Sequence, residues 1–256
     1  MMNCENNSLM YCDDAEALFS VGRRFLFGDC VEKDAMRARQ MLQKAASMGH
    51  VMASELLSGL REEDGGDTVE LSHEEYEKML KGMKYLATDP YIINLLNRVK
   101  DLCWEYNQIR PTLLRERNEK LHEILGECDD DTFINQPFYC DYGKHIRVGK
   151  RFFANFGLTV LDEAYVTIGD DCFIGPNVGI YTACHSTDVE ERNRRIEWAL
   201  PVTIGNNCWI GGSVTILPGV SIGDNVTIGA GSVVVKDIPS GTVAVGNPAS
   251  VVKKLS

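Results

Sequence analysis

The fold class predicted for this 256-residue chain is mainly β, a parallel β-helix preceded by α-helical segments, and three features predict it. Aliphatic residues recur every sixth position through the second half of the chain. Glycine, asparagine, aspartate and proline fall between them at positions suited to tight corners. The first half instead carries apolar residues at helical spacing with capping signals.

The six-residue recurrence is clearest from Ile204 through Ile210, Ile216, Ile222, Ile228 and Val234. An earlier run gives Ile168, Ile174 and Ile180, and a weaker one Val148, Ala154 and Val160. A second uncharged residue follows four positions later, as in Cys172, Val178, Cys208, Val214, Val220 and Val226. Six is neither the helical nor the strand period, and the glycines and β-branched residues disfavour helix. A coil of short strands with turns at "GDN", "GNN" and "PG" accommodates both positions facing inward, three hexapeptides to one triangular turn.

Between Ile180 and Ile204 the rhythm is lost, and "YTACHSTDVEERNRRIEWALPVT" is expected to leave the coil as a loop. It carries His185, a candidate general base, since an imidazole titrates near neutrality. Cys184 beside it suggests an acyl-cysteine alternative, which alternation in an extended segment disfavours by pointing the two side chains to opposite faces.

Before the coil, "SHEEYEKMLKGMKYLATDPYIINLLNRVKDLCWEYNQI" predicts two helices. Ser72 and Glu75 form a capping box for the first, and Asp89-Pro90 starts the second, whose apolar face holds Ile92, Leu95, Leu96, Val99, Leu102 and Cys103. The acidic, glycine-containing "REEDGGDTVELS" predicts a linker.

Composition limits the partners. The formal net charge of −11 argues against nucleic acid or an anionic membrane as the main ligand, so an anionic substrate needs local cations such as Lys236, Lys253 and Lys254. No apolar run approaches a membrane span, and the first twenty residues lack the order of a signal peptide, so a cytoplasmic protein is expected. Nine cysteines, odd in number and without metal-pair spacing, are read as reduced thiols.

The stretches "IGDDCFIGPNVGI", "IGNNCWIGGSVTILPGVSIGDNVTIGAGSVVVKDIP" and "AVGNPASVVKKL" resemble the hexapeptide-repeat acyltransferases, in particular the maltose and galactoside O-acetyltransferases, from about Tyr76 to Leu255. The resemblance implies a left-handed β-helix and transfer of an acetyl group from acetyl-CoA to a sugar-like hydroxyl in a ternary complex, without a required metal. His185 stands at the family's catalytic histidine, with Ser186 in place of the usual proline. Asn155, in "FFANFGLTVLDE", matches the residue that stabilises the transition state. Asp141 and Glu163 match acceptor-binding positions, Asp162 being the alternative to Glu163. Gly212, Ala230, Val235 and Lys236 are implied to line the coenzyme groove, with Ser250 and Lys253 near its phosphates and Trp209 packed beside the site. "MLKGMKY" is similar to the family's helical cap; Ala87 and Leu96 replace its acidic residue and arginine, with Asp89 and Arg98 the candidates to take their place.

The segment "AEALFSVGRRFLFGDCVEKDAMRARQMLQKAASMGHVMASELLSGL" resembles a Sel-one-like repeat of the tetratricopeptide class, two helices joined through "FGDCVEKD" with Ala17 and Ala53 in equivalent positions. One repeat and a fraction is too short to stand alone and implies docking on the rest of the chain or on a protein partner. The expected domains are a helical repeat region at 1–62, a linker at 63–71, an acceptor-site cap at 72–136 and the β-helix at 137–256. The family resemblance further implies a homotrimer with each site between neighbouring β-helices. Xenobiotic or serine O-acetyltransferases, a zinc hydratase of the γ-carbonic anhydrase type using His145 and His185, and a catalytically idle scaffold are the alternative readings.

Overall fold

The computed structural model describes residues 14–27, 31–62, 69–71 and 73–255. The chain divides into two compact units, one of residues 1–75 and 88–93 and the other of residues 76–87 and 94–256.

In the first unit, helices α1 (Ala15–Phe27), α2 (Ala35–Ser47) and α3 (Val51–Gly59) share a core of Leu18, Phe19, Phe25, Leu26, Met41 and Leu42 with small residues between them. Gly22 permits close approach, because a Cβ there would lie 3.0 Å from Leu42. Asp34 caps α2 by accepting from the Arg37 amide. His50 Nδ1 accepts from the Ala53 amide at the start of α3, so its other nitrogen donates to Glu16 at 3.0 Å. Residues 28–30 of the expected interhelical "FGDCVEKD" segment, and Ser72 of the expected capping box, lie outside the described residues. At the two ends of the expected linker, Leu60–Glu62 pairs antiparallel with Val69–Leu71.

The cap elements come next along the chain, with residues 74–75 and 88–93 counted in the first unit and the rest in the second. Helix α4 (Glu74–Leu80) is followed by strand Tyr85–Leu86, helix α5 (Pro90–Gln108) and helix α6 (Leu114–Ile124). Asp89 starts α5, its Oδ1 accepting from the Tyr91 and Ile92 amides at 3.0 and 3.2 Å. The expected apolar face is present, with Ile92, Val99 and Cys103 buried, and it continues to Tyr106.

From Phe133 the chain winds into a left-handed β-helix of about six turns. The first face stacks Ile134, Ala154, Ile174, Ile210, Ile228 and Ala244 in parallel register. The second stacks Cys140, Val160, Ile180, Ile216 and Val234. The third stacks Val148, Ile168, Ile204 and Ile222. Every six-residue anchor from Val148 to Val234 is buried, as are the residues four positions on except Cys184, which leaves the coil after Ile180, so the repeat is the core. Burial of each aliphatic chain contributes about 1.5–3 kcal/mol.

Three edges join the faces, and the edge between the third and first faces explains the "IGDN" pattern. The Asp170 carboxylate accepts from the Lys150 amide on the coil before it, Asn206 Oδ1 from the Asp170 amide, Asp224 from the Asn206 amide, and Ser240 Oγ from the Asp224 amide, at 2.6–2.9 Å. Gly149 leaves room for this ladder, since a Cβ there would lie 2.3 Å from Asp170 Oδ1. Asp171, Asn207 and Asn225 take the left-handed conformation that closes each corner, with φ of 54–56°. On the first face an outward column runs through Phe133, Phe153, Phe173 and Trp209, and Trp209 is exposed rather than packed within this chain.

Candidate active site

The excursion expected as a loop is a hairpin. Strand Ala183–His185 pairs antiparallel with Ile196–Ala199, with helix α7 (Val189–Asn193) at the tip. The second strand also pairs with Tyr85–Leu86 of the cap, making a small three-stranded sheet beside the coil. Ser186, where the family's proline would stand, is buried and its Oγ accepts from the Asp188 amide; Asp188 in turn caps α7. Arg192 donates to the Ser186 carbonyl at 2.9 Å, and Lys84 of the cap pairs with Glu191, so both sides of the tip are tied.

Register puts Glu197 opposite His185, and His185 Nδ1 lies 3.4 Å from Glu197 Oε1. The His185 side chain is 59% exposed whereas that of Glu197 is 16% exposed. Tyr85, fully buried, donates its hydroxyl to Glu197 Oε2 at 3.1 Å. Burial first and the Glu197 charge second raise the Tyr85 pKa, so the phenol stays a donor. A carboxylate at Nδ1 fixes the imidazole tautomer and leaves Nε2 free to take a proton. Neither Glu197 nor Tyr85 was identified as functional in the sequence; the "MLKGMKY" tyrosine and the hairpin register were the available signals.

On the same edge, between the second and third faces, Asp141 and Glu163 share a hydrogen bond between their carboxyl groups. Burial, then the Asp141 charge, pushes Glu163 up to about 9, so Glu163 holds a proton that it donates to Asp141. Burial raises Asp141 as well, while the Glu163 hydrogen bond and the Lys100 charge lower it. Thr182 Oγ1 lies 3.2 Å from Glu163 Oε2. Asp162, the alternative to Glu163, is fully buried, and its Oδ1 accepts from the Asp141 and Tyr142 amides; it braces the corner. Burial pushes its pKa up to about 7.

Both His145 nitrogens are engaged, Nδ1 donating to the Asp162 carbonyl and Nε2 accepting from Tyr76 at 2.7 Å. Burial lowers its pKa, so it is a neutral structural histidine and not a counterpart to His185. Burial raises the Cys184 thiol, which removes the basis for a thiolate nucleophile beside His185.

Asn155 stands on a different edge, between the first and second faces. Its Oδ1 accepts from the Phe156 amide at 2.8 Å, which leaves Nδ2 as the donor group of the side chain. Gly212 and Ala230 follow Asn155 along that edge, with the Gly231 amide bonded to the Gly212 carbonyl. Ser250 pairs with Val245 there, and Lys253 with Val243 on the first face. Val235 and Lys236 fall on the edge that carries His185. One chain therefore gathers His185, Glu197, Asp141 and Glu163 on one edge and Asn155, Gly212, Ala230 and Ser250 on another. Asp89 is occupied as the α5 cap. Arg98 instead lines a cavity of about 120 Å³ with Tyr76, Val99, Tyr142 and Lys144. Among the described residues, no helix is long and apolar enough to cross a membrane.

Comparison with known proteins agrees with this architecture. The maltose acetyltransferase hexapeptide capping motif matches residues 78–129, the hexapeptide repeat of succinyl-transferase residues 165–192, and the six-repeat bacterial transferase hexapeptide residues 201–236. Galactoside O-acetyltransferase of Escherichia coli strain K12 is 42% identical over 159 residues, covering 62% of this chain and 78% of that one. The crystal structure of a maltose O-acetyltransferase from Clostridium difficile 630 superposes with a TM-score of 0.70 at 46% identity, covering 71% of this chain and 97% of that one. A hexapeptide-repeat acetyltransferase of Vibrio cholerae complexed with acetyl coenzyme A superposes with a TM-score of 0.63 at 35% identity, covering 71% and 98%. On these grounds the chain belongs to the maltose/galactoside O-acetyltransferase family of acetyl-CoA-dependent hexapeptide-repeat enzymes.

Proposed function

We propose that the enzyme transfers the acetyl group of acetyl-CoA directly to a hydroxyl of a sugar or sugar-like acceptor, with His185 as general base. The observation that carries this reading is the His185–Glu197–Tyr85 chain, which holds an exposed imidazole by one nitrogen. His185 Nε2 takes the acceptor's hydroxyl proton as that oxygen attacks the thioester carbonyl. The tetrahedral intermediate collapses, the carbon–sulfur bond breaks, and the leaving thiolate takes the proton back from the imidazolium. Asp141 and Glu163, a carboxylate beside a carboxylic acid, together accept and donate hydrogen bonds, which suits a polyol.

Asn155 Nδ2 is the donor for the thioester oxyanion, and it comes from a neighbouring chain. Separation of Asn155 and His185 on two edges supports a homotrimer in which each site combines both edges. The outward Phe153, Phe173 and Trp209 column supplies an apolar surface for such packing. Acetyl-CoA would run along the combined edges, with Gly212, Ala230, Val235 and Lys236 lining its groove, and Ser250 and Lys253 toward its phosphates. The exposed Met36, Met48 and Val51 of the helical unit support docking of a protein partner there, the role expected of a Sel-one-like repeat.

The test is release of coenzyme A from acetyl-CoA in the presence of a panel of maltosides, galactosides and free sugars, with the acetylated product identified by mass spectrometry. Acceptor-dependent release that is lost in His185→Ala is expected. Equal release by wild type and His185→Ala would remove the assigned base.

A further inference from the structure

Two thiols from distant parts of the second unit meet in its core. Cys103, on α5, and Cys140, at the end of strand Phe138–Cys140, bring their sulfurs to 3.7 Å. Both are nearly buried, at 3% and 6% exposure. Another thiol pair, Cys172 and Cys208, sits on consecutive turns of the coil and is also mutually hydrogen-bonded, but each of those is in addition directed at a backbone carbonyl, of Gly205 and Gly223, at 3.1 Å. Cys103 and Cys140 are directed at each other.

Their surroundings distinguish the two thiols. The Cys140 thiol, and after it the Cys140 amide, hydrogen-bond to the Cys103 sulfur and hold its pKa below the usual thiol value against the effect of burial. The same hydrogen bond, with burial, raises Cys140. Cys103 is thus the sulfur favoured as thiolate, and Cys140 its protonated neighbour. Val99, one turn before Cys103 on α5, lines the cavity of about 120 Å³ described above, large enough to admit a molecule the size of hydrogen peroxide.

We propose that Cys103 and Cys140 form an oxidation site, closing to a reversible disulfide that ties α5 to the strand leading into Asp141. With hydrogen peroxide as oxidant, the Cys103 thiolate attacks one oxygen, the O–O bond breaks, and Cys103 becomes a sulfenic acid as hydroxide leaves and is protonated to water. Cys140 then attacks that sulfur, transferring its proton to the departing hydroxyl, and a second water leaves. In sum two thiols and one peroxide give one disulfide and two waters. The sulfurs must close from 3.7 Å to about 2.05 Å.

The bond would staple the cap to the edge that carries the acceptor carboxyls, since Asp141 follows Cys140 directly and its amide is bonded to Asp162. The pair itself does not depend on which acceptor the enzyme uses.

The experiment treats the full chain with graded hydrogen peroxide, alkylates remaining thiols with iodoacetamide under denaturing conditions, and maps peptides without reduction. The expected result is a linked peptide joining Cys103 to Cys140, appearing before any other cysteine is oxidised and disappearing with dithiothreitol. Cys103→Ser and Cys140→Ser should each abolish the link, while Cys184→Ser should leave it. If either serine variant fails to fold, the wild-type map alone decides. Full alkylation of both thiols at peroxide levels that oxidise Cys184, or linkage of Cys103 mainly to another cysteine, would overturn the proposal.

Discussion

Two edges of the same β-helix use acidic side chains in opposite ways. At the edge between the third and first faces, Asp170 and Asp224 lie at the surface and accept from amides of the preceding coil. At the edge between the second and third faces, Asp162 and Glu163 are buried with Asp141 half-buried beside them, the pKa values of all three are raised, and among the described residues Asp162 Oδ2 has no hydrogen-bond partner. The first arrangement closes turns. The second concentrates carboxyl groups at a cost in stability, beside an exposed imidazole. What separates the two edges is how far their carboxyl groups are withdrawn from solvent.

Changes at the chemical edge should reduce activity much more than stability, and the largest effect belongs to His185→Ala. Loss of a general base costs about 10²–10⁴ in kcat, and coenzyme A affinity by calorimetry should be unchanged. Glu197→Gln comes next: the imidazole remains but loses the carboxylate at Nδ1, and kcat should fall, by at most the effect of His185→Ala, with little change in the thermal midpoint. An unaltered kcat would mean that the 3.4 Å contact does not position the base.

A smaller effect separates the edges through pH. Because the Glu163 pKa is raised on folding, its contribution favours the folded state below the ordinary glutamate range and is lost as pH rises through about 9. Asp162 acts in the same sense toward about 7. Wild-type thermal stability should therefore decline from about pH 5 to pH 9, and Glu163→Gln should make that decline shallower. A steeper decline in the variant would reverse the assignment of the shared proton. At the structural edge, Asp224→Ala should cost about 0.5–1.5 kcal/mol of stability through lost hydrogen bonds to Asn206, with kcat unchanged.

The coil was legible because one physical requirement repeats: Ile204, Ile210 and Ile216 each fill the same kind of inward position, and glycine with aspartate or asparagine closes the same kind of corner. His185, Asn155, Asp141 and Glu163 were nominated through family resemblance alone, while their distribution over two edges follows from counting strands. Glu197 was hidden because its role depends on the register of a hairpin that crosses α7, where no period operates. Adjacent Asp162 and Glu163 could not be ranked without knowing which side chain the corner encloses. Asp89 was legible as the start of α5, because a capping aspartate before proline is a local signal, and the structure shows that cap. The Cys103–Cys140 approach joins residues 37 positions apart, and no local pattern encodes it.

The central claim is that a working site combines the His185 edge of one chain with the Asn155 edge of another, and complementation tests it most directly. His185→Ala and Asn155→Ala should each be nearly inactive alone. Unfolded, mixed in equal amounts and refolded together, they should recover about a quarter of wild-type activity, the fraction of interfaces in a closed ring that pair an intact His185 with an intact Asn155. Activity in the refolded mixture no higher than that of the single variants, with mixed oligomers verified by mass, would contradict a site shared between chains.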